Sequence, residues 1–258
     1  MNERSRKEKR KTSVFRAVFI AFIAVALLIA GFRVIHTYSM YREARTEYDS
    51  LRNEAVKVNE KALFDSSYPP VSVDFDRLKE KNPDIRAWVC IAPIETSYPV
   101  VRGRDNFYYR NRTFMEKENS AGCIYIDYRS DSGFNDPNTV IYGAAVKNGS
   151  MFGSLHKISK DHTFSTDPYI WVMVPGKSMR YRIFSIHEDV RGSGVYSFFN
   201  GKDSGFVQYA QKMASESDIP LDIPEFSKSS RVITLSAETS EGRGNYVVQA
   251  VLDKTVES

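Results

Sequence analysis

Cysteine and histidine are scarce in this chain, and their scarcity limits the chemistry it can carry. Its two cysteines, Cys90 and Cys123, lie in apolar, strand-like runs, and so few cysteines exclude a disulfide-dense scaffold. We interpret them as two separate core residues, while a single disulfide or a displaced nucleophile stays open. The four histidines lack the spacing of metal ligands, so the sequence predicts no metal and no cofactor: His36, His156, His162 and His187.

Positive charge is concentrated at the amino terminus. Residues 1–35 contain eight Lys/Arg and two Glu, a net charge of +6, so the other 28 basic and 30 acidic residues give −2. The overall charge of +4 therefore belongs to the first segment. The near-neutral remainder has no electrostatic footprint for nucleic acid, and we exclude that class of partner.

A charge-free apolar run follows the basic segment. Residues 17–32 are shorter than the ~20 residues of a bilayer helix, but Arg16 and Arg33 can snorkel, and apolar flanks extend the run to 14–35. The competing interpretation is a signal peptide, yet the run exceeds a signal core and no cleavage site of small residues follows it. We therefore predict a cytoplasmic segment at 1–13, one membrane helix at 14–35 and an extracellular remainder.

Residues 36–73 are predicted to form a helical stalk and linker. Between 37 and 64 the chain lacks Gly and Pro, and small and apolar residues form a thin heptad-like stripe. This stripe suits either self-association or docking on the chain's own domain. Two adjacent prolines at 69–70 mark the linker. The stripe consists of Ala44, Tyr48, Leu51, Ala55, Val58 and Ala62.

The pattern changes to short β-like runs in the domain predicted at 74–258. They are rich in Val, Ile, Tyr and Phe and are separated by Pro, Gly, Asn and Asp turns, which favours a mainly β fold with eight strands in a closed or nearly closed barrel. A helix is predicted at 204–216, where apolar residues repeat on one face. The predicted strands are 85–91, 97–102, 122–127, 139–143, 169–174, 179–187, 231–236 and 246–252.

The segments N-P-D-I-R-A-W at 82–88 and A-G-C-I-Y-I-D-Y-R at 121–129, with three others, resemble motifs of the class B sortases, the cysteine transpeptidases of Gram-positive cell walls. The resemblance covers residues 74–253 and implies a sortase-type eight-stranded barrel. It also implies that the amino-terminal stripe docks on its own domain, and that helix 204–216 forms one wall of a peptide cleft. The matching segments are N-P-D-I-R-A-W at 82–88, S-Y-P-V-V at 97–101, R-D-N-F-Y-Y at 104–109, A-G-C-I-Y-I-D-Y-R at 121–129 and G-S-M-F at 149–152.

The same resemblance implies that three catalytic positions are vacated. Glu238 stands where the family motif T-L-S-[TA]-C has its cysteine, Ala144 where N-T-V-I-Y-G-H has its histidine, and Asn245 where R-[YFR]-V-V has its arginine. Transpeptidation needs a thiolate, an imidazolium to protonate the leaving amine, and a donor for the oxyanion. The sequence therefore predicts a sortase-like pseudoenzyme.

Five residues are candidates for contacts with a ligand in such a cleft. Glu238 replaces the negative charge of a thiolate, and Arg243 can replace the missing cation. Ser236 matches a position beside the family's cysteine, or is a strand-end hydroxyl bonded to backbone. Asn106 and Tyr109 match a turn on the cleft side, although helix capping by Asp105 or Asn106 also explains that turn.

Three functions remain open at this point. The first is a membrane-anchored pseudoenzyme that binds a sorting-signal peptide, a pilin-like surface protein or an active sortase. The second is an enzyme that uses Glu238 or a thiol such as Cys123. The third is a structural component of a surface-assembly complex that engages partners through its stalk.

Overall fold

The computed structural model describes residues 3–91, 94–160, 168–188, 194–199, 204–238 and 245–257. These residues form four α-helices and ten β-strands. The helices are α1 (Glu3–Ala55), α2 (Phe75–Lys81), α3 (Lys157–Lys160) and α4 (Ser204–Ser215). The strands are β1 (Val56–Val58), β2 (Val71–Val73), β3 (Ile85–Ile91), β4 (Thr96–Val101), β5 (Ile124–Ile126), β6 (Asn138–Ala144), β7 (Tyr169–Val174), β8 (Lys177–His187), β9 (Val232–Glu238) and β10 (Asn245–Glu257).

Eight of these strands close into a β-barrel. The order of neighbours is β10-β8-β7-β3-β4-β5-β6-β9, and β9 pairs with β10 to close the ring. The β4–β5 and β6–β9 pairs are parallel, and the other pairs are antiparallel. Closure removes exposed sheet edges, which short Val- and Ile-rich strands would otherwise present to water. The predicted barrel is therefore confirmed, and every predicted strand overlaps an observed one.

One predicted strand is longer than the observed one, for a local backbone reason. The strand predicted at 122–127 begins only at Ile124. Gly122 has a φ of +62°, and a Cβ added to it would lie 2.5 Å from the carbonyl oxygen of Arg110. The residue therefore forms a tight turn, and its backbone conformation is not that of a β-strand. The Cys123 amide then donates to the Tyr109 carbonyl at 2.9 Å instead of to a neighbouring strand.

The chain divides into two compact units, Met1–Glu43 and Ala44–Ser258. The first unit consists of the amino-terminal part of α1. Among the described residues, one helical segment, Val18–Ala55, is long and apolar enough to cross a membrane, a test that a signal sequence near the amino terminus also passes. In its first half, up to Ile35, the large apolar side chains are exposed, as Phe22 and Leu28 illustrate at 72% and 73%. Membrane insertion and its orientation remain predictions.

The carboxyl-terminal part of α1 packs within the second unit. Ala44, Tyr48, Leu51 and Ala55 are no more than 3% exposed, and they are four of the six stripe residues. The Tyr48 hydroxyl donates to the Gly122 carbonyl at 2.7 Å, and its ring meets the ring of Tyr98 edge-on at 5.4 Å. The expectation that the stripe docks on its own domain is confirmed for these four residues.

The helix ends earlier than the sequence pattern indicated. Helix-favouring composition extends to residue 64, but α1 stops at Ala55 and the chain continues as β1, which pairs with β2. Val56 and Val58 are β-branched residues that favour extended backbone, and Val71 and Val73 supply a matching partner strand. Val58 is consequently 69% exposed and does not extend the docking stripe.

Helix α4 lies in the connection between the sixth and seventh barrel strands, as the resemblance implied. Its predicted apolar face packs on the barrel, where Phe206, Ala210 and Met213 are no more than 1% exposed. They contact buried residues of β8, β9 and β10, including Phe184. The helix is thus fixed against β9 and β10, two of the three strands whose ends form the candidate site.

Candidate functional site

The three positions implicated by sequence lie side by side at the ends of adjacent strands. Strand β6 pairs with β9 in a parallel register that sets Ala144 opposite Glu238. Strand β9 pairs with β10 in an antiparallel register that sets Glu238 opposite Asn245. We call this row of three the strand-end centre. Ala144 and Asn245, 101 residues apart in the chain, therefore come close together because their strands end at the same end of the barrel.

The turn after β6 fixes the Ala144 end of this row. The Phe152 amide donates to the Ala144 carbonyl at 3.1 Å, and Ala145 pairs with Met151 in an isolated bridge. Two glycines allow the chain to fold back so closely. A Cβ on Gly143 would lie 2.7 Å from the Phe152 ring, and a Cβ on Gly153 would lie 2.1 Å from a backbone oxygen.

A tyrosine that sequence reasoning missed lies at the strand-end centre. The Tyr196 hydroxyl shares a 2.8 Å hydrogen bond with the Ser236 hydroxyl and accepts another at 2.8 Å from the Asn245 amide. The Asn245 amide also lies 3.3 Å from the Ser236 oxygen, and Ser236 is fully buried. Tyr196 belongs to a loop segment without strand or helix periodicity, so the sequence carried no signal for it.

A buried polar network holds the segment that carries Tyr196. The Tyr209 hydroxyl, on α4, donates to the Val195 carbonyl at 2.5 Å, and the Asn138 amide donates to the Ser197 carbonyl at 2.9 Å. Asn138 in turn accepts from the Thr234 hydroxyl at 2.7 Å. Strands β6 and β9 and helix α4 therefore all position the loop next to Asn245 and Ser236.

Asp127 anchors a second group of polar and aromatic side chains beside Tyr196. The Tyr142 hydroxyl donates to Asp127 at 3.1 Å, and the Tyr142 ring lies 6.0 Å from that of Tyr196. Arg129 donates two hydrogen bonds to the fully buried Asp127 carboxylate, at 2.9 and 2.8 Å, and stacks 3.9 Å from the centre of the Phe198 ring. Burial raises the pKa of Asp127, but these bonds outweigh burial and hold that pKa below its ordinary value.

The other predicted ligand contacts have structural roles. Asn106 donates to Asp127 at 2.9 Å and accepts from the Tyr128 amide at 3.0 Å, so it ties its turn to the Asp127 group. Tyr109 is only 1% exposed, and its hydroxyl donates to Asp84 at 2.9 Å. The prediction that Tyr109 lines an open cleft is therefore not supported, because its ring is part of the core. Arg243 lies outside the described residues.

Neither cysteine is placed to supply a replacement thiolate. Cys90 and Cys123 are both unpaired and buried, as the interpretation of two core residues predicted. Burial raises the pKa of Cys90 to about 11 and that of Cys123 to about 12. At neutral pH both thiols are protonated, and Cys123 is hydrogen-bonded to the Tyr48 side chain on the docked helix rather than placed at the strand-end centre.

The position at 238 cannot perform covalent acyl transfer in the manner of a thiol. A carboxylate is a poor nucleophile toward an amide, and the acyl product would be an anhydride. Ala144 has no proton to donate. Asn245 retains one amide donor, but that amide is already engaged with Tyr196 and Ser236.

Comparisons with known proteins agree with this architecture. The chain is 26% identical over 244 residues to sortase B of Listeria monocytogenes, covering 89% of this chain and 95% of that protein. It is 23% identical over 222 residues to sortase B of Staphylococcus aureus, covering 86% and 88%. The crystal structure of sortase B from Bacillus anthracis in complex with AAEK1 superposes with a TM-score of 0.71 at 26% identity, over 84% of this chain and 99% of that chain. No family model matches.

Proposed function

Because the chain belongs to the class B sortase family by sequence and fold, we propose that it is a pseudoenzyme of that family. In this proposal it is anchored in the cell membrane by its amino-terminal helix, with the barrel outside. It holds a peptide or surface-protein partner without cleaving it. The partner classes that fit are a sorting-signal peptide, a pilin-like surface protein or an active sortase.

One observation supports the proposal: the strand registers bring Ala144, Glu238 and Asn245 together. By the resemblance these are the family's three catalytic positions, and none of the three residues has the chemistry needed there. Loss of an oxyanion donor alone costs about 10²–10³ in rate, and loss of a nucleophile or its base costs several further decades. The neighbouring framework is nevertheless retained and well packed, since Thr234, Leu235 and Ser236 are all fully buried. A retained framework without reactive groups is suited to binding.

The absence of turnover is tested with the full-length chain in detergent micelles and a panel of sorting-signal peptides. We expect neither cleavage nor transfer to an amine above a heat-inactivated sample. Turnover that disappears in Glu238→Gln or Cys123→Ser would reject the pseudoenzyme proposal. The triple variant Glu238→Cys, Ala144→His, Asn245→Arg should regain reactivity toward a thiol-directed reagent, because its new cysteine would lie at the strand-end centre.

Binding at this centre is tested by crosslinking the protein to its partners in native membranes. Wild type is compared with Glu238→Arg, which reverses the charge at the centre, and with Glu225→Arg, which makes the same change at an exposed position on the β8–β9 connection. We expect capture to fall only in Glu238→Arg. Equal capture by all three proteins would move the binding function to the stalk or the barrel exterior.

The membrane anchor is tested by adding protease to intact protoplasts. The basic flank and the apolar run predict digestion of the barrel with a small fragment left in the membrane. Full protection of the barrel would reverse the proposed orientation, and release of an intact barrel without protease would favour a cleaved signal peptide.

A further inference from the structure

A polar cavity of about 300 Å³ lies within the second unit, apart from the residues of the strand-end centre. It is bordered by the docked part of α1, the β3–β4 connection and the turn that follows β6. Its volume is at the lower end of the range for small-molecule sites. The lining includes three cations, two carboxylates and several neutral polar groups: Arg45, Arg52, Lys157, Asp49, Glu95, Tyr98, Asn148, Ser150 and Ser154.

Arg52 is held rigidly at this cavity with one donor unused. It donates to Asp49 at 2.8 Å and to the Ser97 carbonyl at 3.1 Å, and its guanidinium lies 5.8 Å from the centre of the Tyr98 ring. Its Nε atom is buried and has no acceptor in the described part of the chain. Arg52 therefore fixes Asp49 and the wall of the cavity, and its buried Nε atom is not presented to a ligand.

Two side chains of opposite charge at the same cavity have no ion-pair partner within the described residues. Within the described ranges, neither the Glu95 carboxylate nor the Lys157 ammonium has a hydrogen bond or an ion pair. Glu95 is also held at a φ of +52°, a conformation that costs a non-glycine residue free energy and recurs at functional sites. The fold therefore presents an unpaired carboxylate and an unpaired ammonium to one cavity.

The charge balance defines a class of ligand. Asp49 forms a close ion pair with Arg52 at 2.8 Å. Its contact with Arg45 is longer, at 3.8 Å, and the Arg45 side chain is 76% exposed. The groups left to meet a ligand are thus two cations, Arg45 and Lys157, and one carboxylate, Glu95. The complement is a small molecule with two carboxylates and one amine.

We propose that this cavity binds an acidic amino acid or a short peptide with one acidic residue and free termini. The carboxylates lie toward Arg45 and Lys157, and the amine lies toward Glu95. Ser150 and the Asn148 amide add neutral hydrogen-bonding groups at the wall. This site involves neither Glu238 nor its neighbours, so the inference stands independently of the proposed function.

Isothermal titration of the full-length chain in detergent micelles tests this site, with glutamate and glycylglutamate as probes. Glutarate lacks the amine, and lysine has the opposite charge balance. We expect saturable binding of the two acidic probes, weaker binding of glutarate and none of lysine. Lys157→Met and Glu95→Gln should each weaken binding of glutamate by roughly fivefold, the effect of one partly exposed charge pair.

Matched controls lie on α2, where Lys79→Met and Glu80→Gln make the same changes at exposed positions away from the cavity. These variants should bind glutamate as wild type does. Absence of saturable binding, or equal weakening by the control variants, would overturn the site. Glutarate binding as tightly as glutamate would overturn the assignment of the amine to Glu95.

Discussion

The Tyr196 hydroxyl determines how firmly the strand-end centre is held, so its removal is the most direct test of the site's construction. Tyr196→Phe deletes the hydrogen bonds to Ser236 and Asn245 but keeps the ring that packs near Tyr142. A neutral hydrogen bond contributes about 0.5–1.5 kcal/mol, and a buried group left without a partner costs about 1–3 kcal/mol. Ser236 is fully buried but keeps its contact with Asn245 at 3.3 Å, so part of that cost is avoided.

We therefore expect Tyr196→Phe to lower the free energy of unfolding by about 1–2 kcal/mol. For a compact unit of this size, the midpoint of thermal unfolding should fall by roughly 2–8 °C. Circular dichroism of the full-length chain in detergent measures that midpoint. Combining Tyr196→Phe with Ser236→Ala should give a coupling free energy of about 1 kcal/mol, because both substitutions remove the same bond.

Tyr128→Phe is the matched control. Tyr128 is 47% exposed, and its hydroxyl has no hydrogen bond within the described residues, so its removal should leave the midpoint unchanged. Equal midpoints for Tyr196→Phe and wild type, or a coupling free energy near zero with Ser236→Ala, would refute the network as the support of the centre.

Three further predictions concern the turn after β6, the buried histidine and the thiols. Gly153→Ala should lower the free energy of unfolding by several kcal/mol in chemical denaturation, because its Cβ would lie 2.1 Å from the Val146 carbonyl oxygen. Burial lowers the pKa of His187, so the native state binds fewer protons than the unfolded state, and stability should fall as the pH drops below about 6.5. Cys90 and Cys123 should resist a thiol reagent in the native protein and both react in denaturant, because both are buried and protonated.

Each of these has its own control. Gly31→Ala, where a Cβ would meet nothing within 4 Å, should not destabilise the protein, and a stable Gly153→Ala would show that the turn adjusts. His187→Gln should weaken the dependence of the free energy of unfolding on pH between neutrality and the lowered pKa of His187. His36→Gln, at an exposed position, should leave that dependence unchanged. Rapid labelling of either thiol in the native protein would contradict its burial.

Much of the fold was predictable because local sequence and tertiary packing agree in the barrel. Short runs of Val, Ile and aromatic residues between turn residues favour strands, and closure into a barrel satisfies their edges. The observed element boundaries differ from the predicted ones where the local backbone conformation or strand pairing outweighs the secondary-structure preference of the sequence. At Gly122 a left-handed φ delays the start of β5, and at Val56 a partner strand 15 residues downstream ends the helix.

The sequence alone supported the prediction, through the resemblance, that three catalytic positions of the family are occupied by residues without reactive groups. Only the tertiary structure decided that Ala144, Glu238 and Asn245 adjoin, that Tyr196 bonds to Asn245 and Ser236, and that Tyr109 is buried in the core. The physical reason is the sequence separation of the contacts involved. Secondary-structure propensity and motif spacing reflect interactions between residues that are close along the chain. Strand register and side-chain burial instead depend on contacts between residues that are distant in sequence, and only the closed barrel brings those residues together.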